Sequence, residues 1–322
     1  MPGDPSKSLS PEDILVGGQA VIEGVMMRTP YAYAVAVRRA DGSLEVKKEG
    51  VRRLSQMWKP LSWPVLRGFA VLLQSLVLGL RSLNFSFSAA MADADPAAAD
   101  RARAKRRDSE WFPVVLSIGG AAAVAVLLFI LAPLGIATWL KGYFAAVHNW
   151  VVFNLVDGVI RLVFFLGYIL LISRMRDIRR VFEYHGAEHK VVYTWEAAED
   201  LTVENARRKS RLHPRCGTSF LMFVMAVSII VFSLFKFHAF WAIFLSRVVL
   251  VPLISGLSYE LIRLSAPSCQ RGAFRVLVGR GPLLQRITTA EPSDDQLEVA
   301  IHALREALEL DSRKAREAAA AA

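Results

Sequence analysis

The chain has 322 residues, 54% of them hydrophobic, with a mean hydropathy of +0.35 and a net charge of +10. That length suits one large or two ordinary domains, and the hydropathy is high for a soluble protein. The basic residues cluster at the ends of apolar blocks, where they suit anionic lipid; this excludes nucleic acid as an expected partner.

Residues 1–13 are polar and expected to be disordered, with no basic stretch leading into an apolar core and hence no signal peptide. Residues 14–60 read as a small cytosolic β unit: Tyr31–Val37 is β-favouring, and Asp41-Gly42 is a hairpin turn before Ser43–Val46. Glu23 stands there among apolar residues, either capping a turn or reaching a site. Residues 64–84 are apolar enough to cross a membrane, but Arg67, Gln74 and Arg81 recur every seven residues as a polar stripe. A crossing would also leave Arg101–Arg107 outside. The segment is therefore expected to lie in the interface or to re-enter from the cytosolic side. Residues 91–110 read as a linker.

Four apolar blocks follow within 111–264, at about 113–140, 148–172, 218–236 and 239–263, each near the length of a membrane span. Arginine and lysine crowd the segments before the first block and between the second and third, while 141–149 and 236–239 offer only Lys141 and Lys236. The positive-inside rule then places both termini and the middle loop, 173–217, in the cytosol. Cys216 and Cys269 both fall on that side, where disulfides rarely persist. Asp157 and Arg161 are four apart in the second block, and Arg247 in the fourth lies at a similar depth, so the three are expected to form an intramembrane ion cluster. Residues 265–310 read as a membrane-surface segment and an amphipathic helix opened by the capping box Ser293–Gln296, with the stripe Leu297, Ile301, Leu304, Leu308. Residues 311–322 read as a frayed tail.

The middle loop carries His185-Gly186-Ala187-Glu188-His189, which contains two of the six histidines. On a helix, residues four apart share a face, so both imidazoles can reach one ion. The order H-x-x-E-H is the inverted zinc-peptidase signature, with Glu188 placed as general base on metal-bound water. Two ligands do not hold a catalytic zinc. His213, Cys216 and Glu204 are candidates for the third, with Glu196 and Glu199 less well placed. Joined by both His213 and Cys216, the site would be a closed structural zinc; joined by one, it keeps an open position. Either way the chain must fold back near Arg174–Arg180. Glu23, Glu204 and Glu260 are further candidates for the site. The alternative without metal is a polar network of ion pairs. No nucleophile-elbow, P-loop or dinucleotide fingerprint is present.

Val16–Arg28, Leu83–Ser86, Tyr184–Lys190, Leu201–Asn205, His213–Gly217 and Ser258–Glu260 together resemble the YqhQ-like family of bacterial membrane proteins. The resemblance spans about residues 13 to 310. It implies a multi-pass inner-membrane protein of unknown function, described as a predicted metal-dependent enzyme.

The expected fold is an all-α polytopic membrane protein: four transmembrane helices, an interfacial or re-entrant helix, a small N-terminal β unit and a cytosolic middle loop. The expected function is a metal-dependent hydrolase, in the manner of a peptidase, acting on a protein substrate at the cytosolic face. Its cofactor would be a divalent metal, zinc, and its surroundings a bilayer with anionic lipids. The rival is a non-catalytic scaffold or assembly partner whose loop is held by a structural metal or by ion pairs.

Overall fold

The computed structural model describes residues 16–51, 59–95, 111–213, 216–265 and 281–320. The expected disordered N-terminus, the Arg101–Arg107 cluster, most of the linker and Cys269 lie outside these residues.

Four strands form an antiparallel meander in chain order: β1 (Gly17–Val21), β2 (Gly24–Arg28), β3 (Ala32–Arg38) and β4 (Leu44–Gly50). The β1–β2 hairpin turns through Ile22 and Glu23, the latter at a φ of 51°. The β3–β4 hairpin turns at the expected Asp41-Gly42, with Gly42 at a φ of 84° and Asp41 accepting from the Ser43 N–H. Successive strand residues point to opposite faces, and here both faces are covered. Val25, Met27, Ala34 and Ala36 pack against α5 (Arg176–Glu196) and α11 (Asp294–Ala320), while Val21, Met26, Tyr33, Val35 and Val37 pack toward α1 (Leu66–Ala94). This double burial explains why β3, Ala-Tyr-Ala-Val-Ala-Val-Arg, lacks the polar alternation of a one-sided strand.

The β unit is therefore not a separate body. It is the middle layer of an α/β sandwich whose outer helices come from distant parts of the chain. The stripe Leu297, Ile301 and Leu304 is buried in that sandwich with Leu308 packed beside it, so the C-terminal helix belongs to the core. Its capping box forms as expected, Ser293 and Gln296 bonding reciprocally. The helix continues through Ala320, past the expected start of a frayed tail, and its buried Asp311 accepts from the Tyr31 N–H at 2.7 Å. Helix α1 runs ten residues beyond the expected end at 84.

The apolar bundle comprises α2 (Trp111–Val126), α3 (Ala132–Lys141), α4 (Trp150–Ile172), α7 (Gly217–Leu234), α8 (Phe240–Val249) and α9 (Val251–Ser265). A π-type turn, Leu127–Leu131, joins α2 to α3 just before Pro133, which has no N–H to donate. Helices α8 and α9 meet at a 46° bend beside Pro252. By length and composition, Leu66–Ala94, Gly119–Lys141 and Trp150–Ile172 are apolar enough to cross a membrane, and the α8–α9 pair makes a fourth if it counts as one span; Phe220–Leu234 is shorter. The buried face of α4 is Phe153, Asn154, Asp157, Gly158 and Arg161, at helical spacing. Two short helices, α6 (Val203–Arg207) and α10 (Gly281–Thr288), complete the α-helices among the described residues.

Candidate metal centre

Helix α5 starts only after a break. Arg174 and Met175 close a turn on the last carbonyls of α4, and Met175 is extended at φ −75°, ψ 134°. This is the fold-back that a shared site required, and it lays α5 against β1 and β2 instead of extending α4 into solvent.

On α5 the rings of His185 and His189 stand 4.4 Å apart, centroid to centroid. His185 Nδ1 lies 2.8 Å from the carbonyl of Thr288, and His189 Nδ1 lies 2.6 Å from the carbonyl of Arg211. A carbonyl only accepts, so both Nδ1 atoms carry a proton, and in the neutral form of each ring Nε2 keeps a lone pair. Cys216, the N-cap of α7, brings its Sγ to 3.2 Å from His185 Nε2. The three ligand atoms lie within 4.8 Å of one another. Ligand atoms around one tetrahedral zinc are separated by about 3.5 Å, so a small inward shift would close the set. His189 Nε2 is buried and has no hydrogen-bond partner among the described residues. A metal ion would satisfy it. Backbone carbonyls holding the far nitrogen of each imidazole are also the usual outer support of a metal-bound histidine.

His213 does not join them. Gln285 clamps its backbone from both sides, at 2.8 and 2.7 Å, and its Nε2 lies 3.2 Å from Glu196. Its ring packs against Tyr193, 4.4 Å between centroids. The donor atoms that approach one another are those of His185, His189 and Cys216, while the His213 ring, 5.7 Å from that of His189 between centroids, faces Glu196.

Glu188 sits beside the three donors without being one of them. It is buried and packs on Gly18 of β1. Burial pushes its carboxyl above the ordinary carboxylate range, and nearby His185 and His213 pull it back. The arrangement offers two imidazoles, a sulfur and a buried carboxyl group side by side.

The other candidate carboxylates go elsewhere. Glu23 pairs with Arg180, Glu204 with Arg208 on the surface, and Glu260 with Arg67 at 2.5 Å. Asp157, Arg161 and Arg247 do come together. Asp157 Oδ2 meets Arg161 at 2.9 Å and Arg247 at 3.2 Å, and Arg247 also donates to Asn154 at 2.6 Å and lies 3.9 Å over the Phe232 ring. That cluster belongs to the bundle, apart from the metal-ligand set.

Sequence reasoning missed the Thr288 and Arg211 carbonyls, the Gln285 clamp and the Gly18 contact. Backbone acceptors leave no side-chain signal. The Gly17-Gly18 pair inside a strand was a readable sign of a close approach.

Against known proteins, residues 63–310 match a family described as a protein of unknown function, DUF1385. The chain belongs to the DUF1385 family. It is also 33% identical over 300 residues to the uncharacterized protein YqhQ of Bacillus subtilis (strain 168), covering 92% of this chain and 93% of that one. No solved structure matches it.

Proposed function

We propose that this family member is a four-span inner-membrane protein that holds a divalent metal, zinc, on its cytosolic face and hydrolyses a protein substrate there. The observation that carries the reading is the buried Nε2 of His189, which has no hydrogen-bond partner among the described residues and lies beside two further donor atoms. His185, His189 and Cys216 would hold the ion, leaving one position open to solvent or substrate, as catalytic zinc sites do. The ion would supply Lewis acidity and lower the pKa of a water it binds. Glu188 would accept the proton, its own affinity for it raised by burial.

The four spans would be α2–α3, α4, α7 and α8–α9, with both termini in the cytosol among anionic headgroups. The shared core of the sheet, α5 and α11 supports this count, because an even number of crossings returns each of them to the same side.

Two other readings compete. The 3.2 Å gap between His185 Nε2 and Cys216 Sγ would also suit a metal-free cysteine–histidine nucleophile. That reading leaves His189 Nε2 sealed and unpaired, which costs about 1–3 kcal/mol. A non-catalytic scaffold held by a structural metal or by ion pairs is favoured by the links from α5 and α6 to distant segments, Arg180–Glu23, Lys190–Glu291 and Arg207–Asp294.

Metal analysis of purified protein separates them. Stoichiometric zinc in the wild type, lost in His185→Ala, supports the centre; none above background ends it. A Glu188→Gln variant that is folded and zinc-loaded, yet fails to restore function in cells lacking the protein, supports hydrolysis. Full restoration by that variant would leave the scaffold.

A further inference from the structure

Three helices between the sheet and α5 are long and apolar enough to cross a membrane: α1, the α2–α3 rod and α4. The sheet and α5 nevertheless share one hydrophobic core, with Val25 and Ala36 packed in the same cluster as Ala187 and Val191. Segments that pack together lie on one side of a bilayer, so the number of crossings between them is even. At least one of the three does not cross.

Its own contacts single out α1. Arg28 of β2 donates to Gln74 at 3.0 Å and to Ser75 at 3.1 Å, Gly79 packs against the Gln19 side chain, and Asp93 accepts from Arg39 at 2.8 Å. From Gln74 to Asp93 the sheet accompanies the helix for about 28 Å at 1.5 Å per residue. Were α1 to cross, it would draw charged β4, with Lys47, Lys48 and Glu49, into hydrocarbon.

The opposite face of α1 is bare and mostly apolar, with Asn84 also exposed on it. Leu73, Leu76, Val77, Leu80, Leu83 and Phe87 recur at helical spacing and are all exposed. At its start, Gly68 packs on Tyr259 and the Gly256 carbonyl of α9, and Arg67 pairs with Glu260. These contacts fix α1 level with one end of the bundle.

We propose that α1 lies in the plane of the cytosolic leaflet, with the Leu73–Phe87 stripe among the acyl chains and the sheet seated on its back. The occupant of the stripe is lipid, because the stripe continues the apolar surface of the bundle to which Arg67 and Gly68 join it. The inference rests on the membrane reading above. It also decides between the two placements that the sequence left open, interfacial and re-entrant.

Nitroxide labels, attached through a genetically encoded keto amino acid so that Cys216 stays intact, test it in the full chain. They are placed singly at positions 73, 76, 80, 83 and 87 of protein reconstituted into phosphatidylethanolamine–phosphatidylglycerol vesicles. Collision with oxygen is compared with collision with a water-soluble nickel chelate. All five should favour oxygen and share one shallow depth, about 5–10 Å below the headgroups. A depth that is greatest mid-helix, as in a crossing or a re-entrant loop, would overturn the proposal, as would nickel access along the whole stripe. Labels at 159 and 163, exposed on α4, separate the two failures: they must read deep for the membrane reading to stand, whatever α1 does.

Discussion

Gly18 of β1 and Glu188 of α5 are in direct contact, the glycine lying against the side chain that flanks the candidate metal ligands. A Cβ at position 18 would lie 2.6 Å from the Met26 carbonyl oxygen and 2.9 Å from Glu188 Cγ. A strand carbonyl cannot swing aside, so Gly18→Ala should push Glu188 from its place and cost about 1–3 kcal/mol as an overpacked site. Gly17→Ala meets nothing within 4 Å and should stay within about 0.5 kcal/mol of wild type. Thermal unfolding in detergent measures both; equal stability of the two variants would contradict the contact.

The ligand set makes unequal demands on Cys216 and His213. Cys216→Ala should lose bound zinc, whereas His213→Ala should keep it, since that ring is turned to Glu196. Metal content per chain decides the order. Zinc lost from His213→Ala while Cys216→Ala retains it would reverse the assignment.

In the bundle, Asp157 serves two guanidiniums and Arg247 only one carboxylate. Arg247→Met leaves the Asp157–Arg161 pair intact. Asp157→Asn leaves two buried cations with no anion, and breaking a buried pair in this way costs about 3–5 kcal/mol. Asp157→Asn should therefore lower the melting temperature in detergent further than Arg247→Met does. The reverse ranking would mean that the cluster is not sealed from water.

Tyr33, buried in β3, donates to Glu49 at 2.8 Å, and burial first, then that carboxylate, push its phenol from 10.0 up to about 12. A phenol raised in the folded state stabilises fully below the unfolded value and loses that contribution as pH rises through the folded one. Wild-type stability should fall between pH 10.0 and about 12, and part of that slope should vanish in Tyr33→Phe. Alkaline unfolding followed by circular dichroism reads the difference; identical slopes would place Tyr33 in water.

Much of the local structure could be read directly. The spacing of His185 and His189 put both rings on one helix face, Asp41-Gly42 marked its hairpin, Ser293–Gln296 opened its helix, and Asp157 found Arg161 and Arg247. Each of these is set by residues within a few positions of one another or, for the ion cluster, by the cost of a lone charge among apolar helices. Gly186 could not be understood that way. It reads as a residue that weakens its helix, whereas a Cβ there would lie 2.1 Å from the Ala290 carbonyl, so a side chain would displace the segment that supplies the Thr288 oxygen to His185.

By itself, then, the sequence determined which stretches are helix or strand, which are apolar, and where the paired imidazoles stand. Tertiary structure alone decided that Cys216 approaches His185 while His213 faces Glu196, that the N-terminal strands form the centre of a sandwich, and that in α1 Gln74 meets the sheet while Arg67 meets α9. Periodicity reports that a helix has two faces. What each face meets depends on contacts between residues tens to hundreds of positions apart, and no local pattern encodes those.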